Sequence, residues 1–135
     1  MKIIVLAGGL STERDVSLVS AAGICRTLLE KGHDAFLLDV FMGLPEAPEN
    51  LEDVFTMPGH GLEIAGNISR EEPDLEAVKA SRPDQSDCFL GPNVIELCRL
   101  ADITFLGLHG GEGENGKLQA TFDLHGIRYT GPDSL

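Results

Sequence analysis

Basic residues are scarce in this sequence: Lys and Arg number 10 against 22 Asp and Glu, for a formal net charge of -12. Nucleic acids and anionic membranes both demand clustered Lys and Arg, so this balance argues against either as a partner. It also supplies no general attraction for a nucleotide, and any phosphate site has to be local. Cysteine is equally sparse. Cys25, Cys88 and Cys98 are odd in number and form no CxxC pair. That is neither a disulfide framework nor a zinc motif, and it fits reduced thiols in the cytosol. Cys25 and Cys98 fall in apolar helical patterns and are expected as small core residues. Long hydrophobic runs are missing too. Nothing is long enough to span a bilayer, and the apolar run Ile3–Ala7 is too short for a secretory signal and ends in glycines. A cytoplasmic location is expected. No internal repeat or low-complexity tract interrupts the chain.

What is there suits one globular domain over residues 1–135, with 42% hydrophobic and 24% charged residues. Lys2–Ala7 is a short β-rich run suited to a strand buried on both faces. Gly8-Gly9 breaks it. Ser11 or Thr12 can cap a helix, with Glu13 and Asp15 near its positive end. From Val16 to Lys31 apolar residues recur at helical spacing (Leu18, Ala22, Cys25, Leu29), and Gly32 is placed to stop the helix. Ala35–Val40 is the next strand, which completes a βαβ unit with parallel strands. Residues 41 to about 90 hold most of the prolines and many acids. Small irregular elements are expected there, with a short strand at Gly61–Ile64 and a short helix over Glu71–Ala80 as candidates. Regular structure returns at Pro92, which is favourable at a first helical position. Asp102–Leu108 reads as a core strand, His109–Gly116 as a glycine-rich loop, Lys117–His125 as a short helix closed by Gly126, and Ile127–Thr130 as a last strand. The predicted fold is α/β, an open and mainly parallel sheet flanked by helices.

Such sheets bind ligands at the carboxyl ends of their strands, which singles out the loop after the first strand and the loop that begins at His109. The first, Ala7-Gly8-Gly9-Leu10-Ser11-Thr12-Glu13-Arg14, lacks the third glycine of GxGxxG and the Lys-Ser/Thr of a P-loop. Two readings fit Glu13: it complements the helix dipole, or it binds a substrate ammonium. Ser11 reads as a cap, since no base is paired with it. In the second loop, His109 either hydrogen-bonds to backbone or donates to a carboxylate or phosphoryl oxygen of a substrate. His109, Glu112 and Glu114 lack the spacing of a known metal site. Glu114 and Asn115 read as loop-shaping groups that bond backbone N–H donors left free by the glycines.

Together the two loops resemble the D-alanine–D-alanine ligase family. The family's N-terminal pattern is paired glycines, Ser, one residue, Glu-Arg, then acid-Val-Ser-Leu. Here it runs Gly8-Gly9-Leu10-Ser11-Thr12-Glu13-Arg14-Asp15-Val16-Ser17-Leu18. The second signature, His-Gly, two residues, Gly-Glu-Asp-Gly and then Gln, runs here from His109-Gly110 through Gly113-Glu114-Asn115-Gly116 to Gln119. Tyr129-Thr130-Gly131 also fits. Asn115 stands where Asp is usual and Arg128 where Pro is frequent, and the resemblance covers the two ends of the chain rather than residues 41–91.

The resemblance implies an ATP-grasp ligase. In that family ATP phosphorylates the carboxylate of one D-alanine, the amine of a second attacks the acyl phosphate, and the dipeptide enters peptidoglycan synthesis. By match to the motifs, Glu13 would hold the ammonium of the first D-alanine and His109 would lie beside its carboxylate, with Gly8, Gly9, Ser11 and Gly110 lining the substrate. Positioned charges of this kind act by orientation and electrostatic stabilisation. In the family's layout the residues for ATP and Mg²⁺ lie beyond Leu135. The chain is thus expected to be the first domain, to hold neither ATP nor Mg²⁺ and to be inactive by itself. A homodimer is implied for the full-length enzyme. A D-alanine–D-lactate or D-alanine–D-serine ligase, and a free-standing α/β binding module without catalysis, are the alternatives.

Overall fold

In a computed structural model of the chain, β1 spans Lys2–Ala7 as the sequence predicts. The structure describes residues 1–8, 14–44, 48–56, 59–62, 90–107 and 112–130. Within them α1 runs over Arg14–Glu30, β2 over Asp34–Asp39, a 3₁₀ helix over Leu51–Thr56, α2 over Val94–Leu100, β3 over Ile103–Leu106, α3 over Glu112–Leu124 and β4 over Tyr129–Thr130. The four strands lie in the order β2-β1-β3-β4, and every pair is parallel. The expected open parallel α/β sheet is therefore present.

Alternation along β1 explains the layering, because successive side chains of a strand face opposite sides. Ile3, Val5 and Ala7 join Ala35 and Leu37 of β2 against Leu18, Ala21, Ala22 and Cys25 of α1. Ile4 and Leu6 join Phe36 and Leu38 on the other face, against Val54 and Phe55 of the 3₁₀ helix, Val94 and Leu97 of α2, and Leu118 and Phe122 of α3. A strand covered on both faces has to be apolar throughout, as Ile3–Ala7 is. Helices on opposite faces follow from the strand order. The chain steps from β1 to one side for β2, then crosses to the other side of β1 for β3.

Helix α1 carries the apolar pattern expected from Val16 onward and ends as Gly32 predicts; the cap candidates Ser11 and Thr12 lie outside the described residues. Gly32 has φ 90°; its N–H donates to Leu29 O at 3.0 Å and the next N–H, of His33, donates to Leu28 O at 3.1 Å. This paired closure satisfies the last carbonyls and needs a left-handed residue, which glycine adopts without strain. Gly126 closes α3 in the same way, with Ile127 N–H on Phe122 O at 2.9 Å.

Four expectations need correction. Pro92 is not the first helical residue: it lies in a turn, its carbonyl accepts from Leu44 N–H at 2.9 Å, and Asn93 precedes α2 with φ 65°. The Asn93 amide donates to Leu44 O at 2.8 Å rather than capping the helix. Residues 112–116, expected as loop, form the first turns of α3, so Glu114 and Asn115 lie in a helix rather than shaping a loop. The local cost of Gly113 and Gly116 is outweighed by the anchoring of the same helix through buried Leu118 and Phe122. Gly61–Leu62 is a turn, not the start of a strand. Its neighbour His60 covers the outer edge of β2 instead, accepting from Leu37 N–H at 2.9 Å and setting its ring Nδ1 3.1 Å from Ala35 O. Finally, β2 is displaced by one residue to Asp34–Asp39, and β3 and β4 are shorter than expected, at Ile103–Leu106 and Tyr129–Thr130. The candidate helix at 71–80 and residues 63–64 lie outside the described residues.

Cys25 and Cys98 are core residues, as predicted, with almost no exposure. Burial pushes the Cys25 thiol up to about 11, with Arg26 acting in the opposite direction. Burial pushes Cys98 up to about 12, against a smaller lowering from the Thr104 hydroxyl. Each thiol stays neutral in the folded chain while the unfolded chain ionises from the ordinary value of 9.0. Their contribution to stability is therefore complete below that value and is lost as pH rises through 9 toward 11–12. Iodoacetamide at about pH 8 is expected to leave both residues unmodified in the native chain and to alkylate both in guanidinium, as read by peptide mass mapping. Among the described residues no helix is long and apolar enough to cross a membrane.

Candidate functional site

The strand order reverses at β1, so the crevice of this sheet opens between the carboxyl ends of β1 and β3. Both ends are tied off by main-chain bonds. Gly107 N–H donates to Leu6 O at 2.8 Å, and Val40 N–H to Ala7 O at 2.9 Å. Gly8 N–H is the first donor beyond the ladder, and it meets the hydroxyl of Ser17 at 3.0 Å. That hydroxyl donates in turn to Gly107 O at 2.7 Å. One fully buried side chain on the first turn of α1 thus links the end of β1 to the end of β3.

Gly8 is confined from a second direction. Its φ is 79°, and a Cβ built on it would lie 2.7 Å from Oδ1 of Asp39. The Asp39 carboxylate ends β2, is almost wholly buried, and accepts from Phe41 N–H at 3.0 Å and Met42 N–H at 3.3 Å. It shapes the turn after β2 and forms the wall behind Gly8. Gly107 is also closely held: a Cβ there would lie 3.2 Å from Ala21 Cβ of α1 and 3.2 Å from Leu6 O. The N-terminal half of α1 therefore sits tight over both strand ends.

Of the six predicted site residues, Gly8 is placed at this crevice. Gly9, Ser11, Glu13, His109 and Gly110 lie outside the described residues. In sequence they follow closely on the described ends. Glu13 is five residues after Gly8, and His109 is two residues after Gly107. Sequence reading missed two residues that build the site's floor. Ser17 carried a signal, since it precedes Ala21 and Cys25 at four-residue spacing on the buried stripe of α1, where a hydroxyl requires a partner. Asp39 carried another, as a carboxylate inside an otherwise apolar run. Among the described residues no three His, Cys, Asp or Glu side chains gather to hold a metal. A shallow depression of about 350 Å³ between the 3₁₀ helix and α2, lined by Leu51, Glu96, Arg99 and Leu100, takes nothing from the strand ends.

Comparison with known proteins converges on one family. A family model described as D-ala D-ala ligase N-terminus matches residues 2–132. The D-alanine–D-alanine ligase of Lacticaseibacillus casei is 46% identical over 135 residues, which is all of this chain and 37% of that protein. The ligase of Pediococcus pentosaceus is 46% identical over 138 residues, covering 100% of this chain and 38% of the relative. That of Leptospira interrogans is 32% identical over 146 residues, covering 99% and 34%. The chain thus spans little more than a third of the length of the relatives it matches.

Proposed function

Because the chain belongs to the family of D-alanine–D-alanine ligase N-terminal domains, we propose that it is the domain that holds the first D-alanine of an ATP-dependent ligase. The observation that carries this reading is the Ser17 bridge. It brings together, at the switch point of the sheet, the two strand ends from which both signature loops leave. Glu13 receives the substrate ammonium. His109 donates to its carboxylate and steadies the charge that develops there. Gly8, Gly9, Ser11 and Gly110 supply close backbone approach. The product is the D-alanyl-D-alanine used in peptidoglycan synthesis, made in the cytoplasm by a homodimer. ATP and Mg²⁺ belong to the rest of such an enzyme. On this reading the chain by itself does not ligate D-alanine.

The test is dipeptide formation by the protein translated from the complete reading frame that carries this chain. It is supplied with D-alanine, ATP and Mg²⁺, and products are read by mass spectrometry. D-Alanyl-D-alanine is the expected product. A depsipeptide or a D-alanyl-D-serine product in mixed-substrate assays would move the reading to a D-lactate or D-serine ligase. Absence of any ligation by a folded protein would leave a binding module. In the active protein, Glu13→Ala is expected to lower kcat/KM for D-alanine on the order of 10- to 100-fold, the worth of one hydrogen bond to a charged group. The melting temperature should be unchanged. Wild-type kinetics would remove Glu13 from the site.

A further inference from the structure

Ser17 lies in the stretch that matches the family's N-terminal pattern, within helix α1, and its hydroxyl joins the end of β1 to the end of β3. Bonds on either side make the arrangement restrictive. Gly8 N–H has left both strand ladders and finds Ser17 Oγ, while Gly107, whose own N–H is committed to Leu6 O, offers its carbonyl to the same hydroxyl. All three groups are buried, so water is no substitute partner. The ladder between β1 and β3 fixes residues 3–6 against 103–106. Beyond that ladder Gly107 N–H still reaches Leu6 O, and Ser17 adds a side-chain link between Gly8 and Gly107. The hydroxyl acts as donor to one strand and acceptor from the other, a pairing that alanine cannot make.

We propose that Ser17 is a positioning residue for the D-alanine site, a reading that rests on the function proposed above. It sets the separation of the Gly8 and Gly107 backbones, and through them the relative placement of the loops that carry Glu13 and His109. A site whose groups must be held within about half an ångström of productive geometry depends on such a supporting contact. Its loss displaces groups that bind D-alanine and leaves groups carried by the rest of the enzyme where they are.

The experiment is steady-state kinetics on the full-length enzyme with Ser17→Ala and Ser17→Thr, alongside thermal melting. Ser17→Ala is expected to raise KM for D-alanine about tenfold or more and to lower kcat, with KM for ATP within about twofold of wild type. Ser17→Thr keeps the hydroxyl and is expected to restore D-alanine KM to within about threefold. A merely structural role gives a different pattern: a lower melting temperature and less active enzyme, with both KM values unchanged. That pattern overturns the proposal. Should Ser17→Ala fail to fold, Ser17→Cys carries the test. Its sulfur fills the space but bonds weakly, and an unchanged D-alanine KM in that variant overturns the proposal equally. If the wild-type protein forms no dipeptide, the ligase reading itself has failed and the proposal falls with it. An active wild type with indifferent Ser17 variants defeats the proposal alone.

Discussion

Val5→Asp leaves the chain unfolded at room temperature. Val5 is fully buried in the central strand, between Leu37 of β2 and Phe105 of β3 in register, on the face that packs against α1. An ionised carboxylate there meets no donor and no cation, and if it protonates, its hydroxyl remains buried among apolar groups. The loss of the valine's own burial adds about 1.5–3 kcal/mol. Together with the desolvated acid this reaches the total of about 5–15 kcal/mol that a domain has to lose. The control is Val19→Asp in α1, at a position 55% exposed, where a change within about 0.5 kcal/mol is expected. Circular dichroism melts of the two variants check the pair. A cooperative, wild-type-like transition for Val5→Asp would remove β1 from the centre of the core.

The second large effect is at Gly8. Alanine at its φ of 79° costs about 1–2 kcal/mol from the left-handed backbone alone. The new methyl also collides with the Asp39 carboxylate, which cannot retreat without giving up its bonds to Phe41 and Met42. Overpacking of this kind adds about 1–3 kcal/mol. The sum lowers the melting temperature on the order of 10 °C. Because relief comes by shifting Gly8 off Ser17, D-alanine binding by the full enzyme should fall with it. Gly23→Ala supplies the opposite sign. It is exposed in α1 with nothing near its would-be Cβ, and a gain of up to about 1 kcal/mol is expected. Differential scanning calorimetry of both variants decides the matter; equal melting temperatures would show that Asp39 does not wall off Gly8.

Periodicity carried most of the fold because β1, α1 and the layering on both faces depend on residues whose local preference and burial agree. Where they disagree, the reading erred. Gly113 and Gly116 argue against a helix that Leu118 and Phe122 nevertheless hold. Asn93 accepts a left-handed backbone so that its amide can reach Leu44 O, a contact 49 residues away that no local pattern contains. The 3₁₀ helix buries the adjacent pair Val54 and Phe55, a spacing that matches neither the helical nor the strand template. The site divides in the same way. The candidate loops are marked in the sequence by glycines and by charged residues at predicted strand ends. Ser17 and Asp39 work from inside regular elements, and their partners become visible only when Gly8 and Gly107 come together in space.

The position of β1 in the sheet also sets an order of assembly during synthesis. Ile3 meets Ala35, 32 residues further on, but its other neighbour, Ile103, comes 100 residues after it. Closing the longer loop costs only about 1 kcal/mol more in chain entropy, but it has to wait for translation. A nascent chain that has delivered β1, α1 and β2 carries a paired strand with one bare edge, and a Ser17 hydroxyl with no carbonyl from Gly107 to receive it. The pairing of greatest sequence separation and the coming together of the two loop bases are therefore one event. Anything that traps the open edge of β1 before that event, including a second nascent chain, stops the site from forming even while half of the sheet is already native.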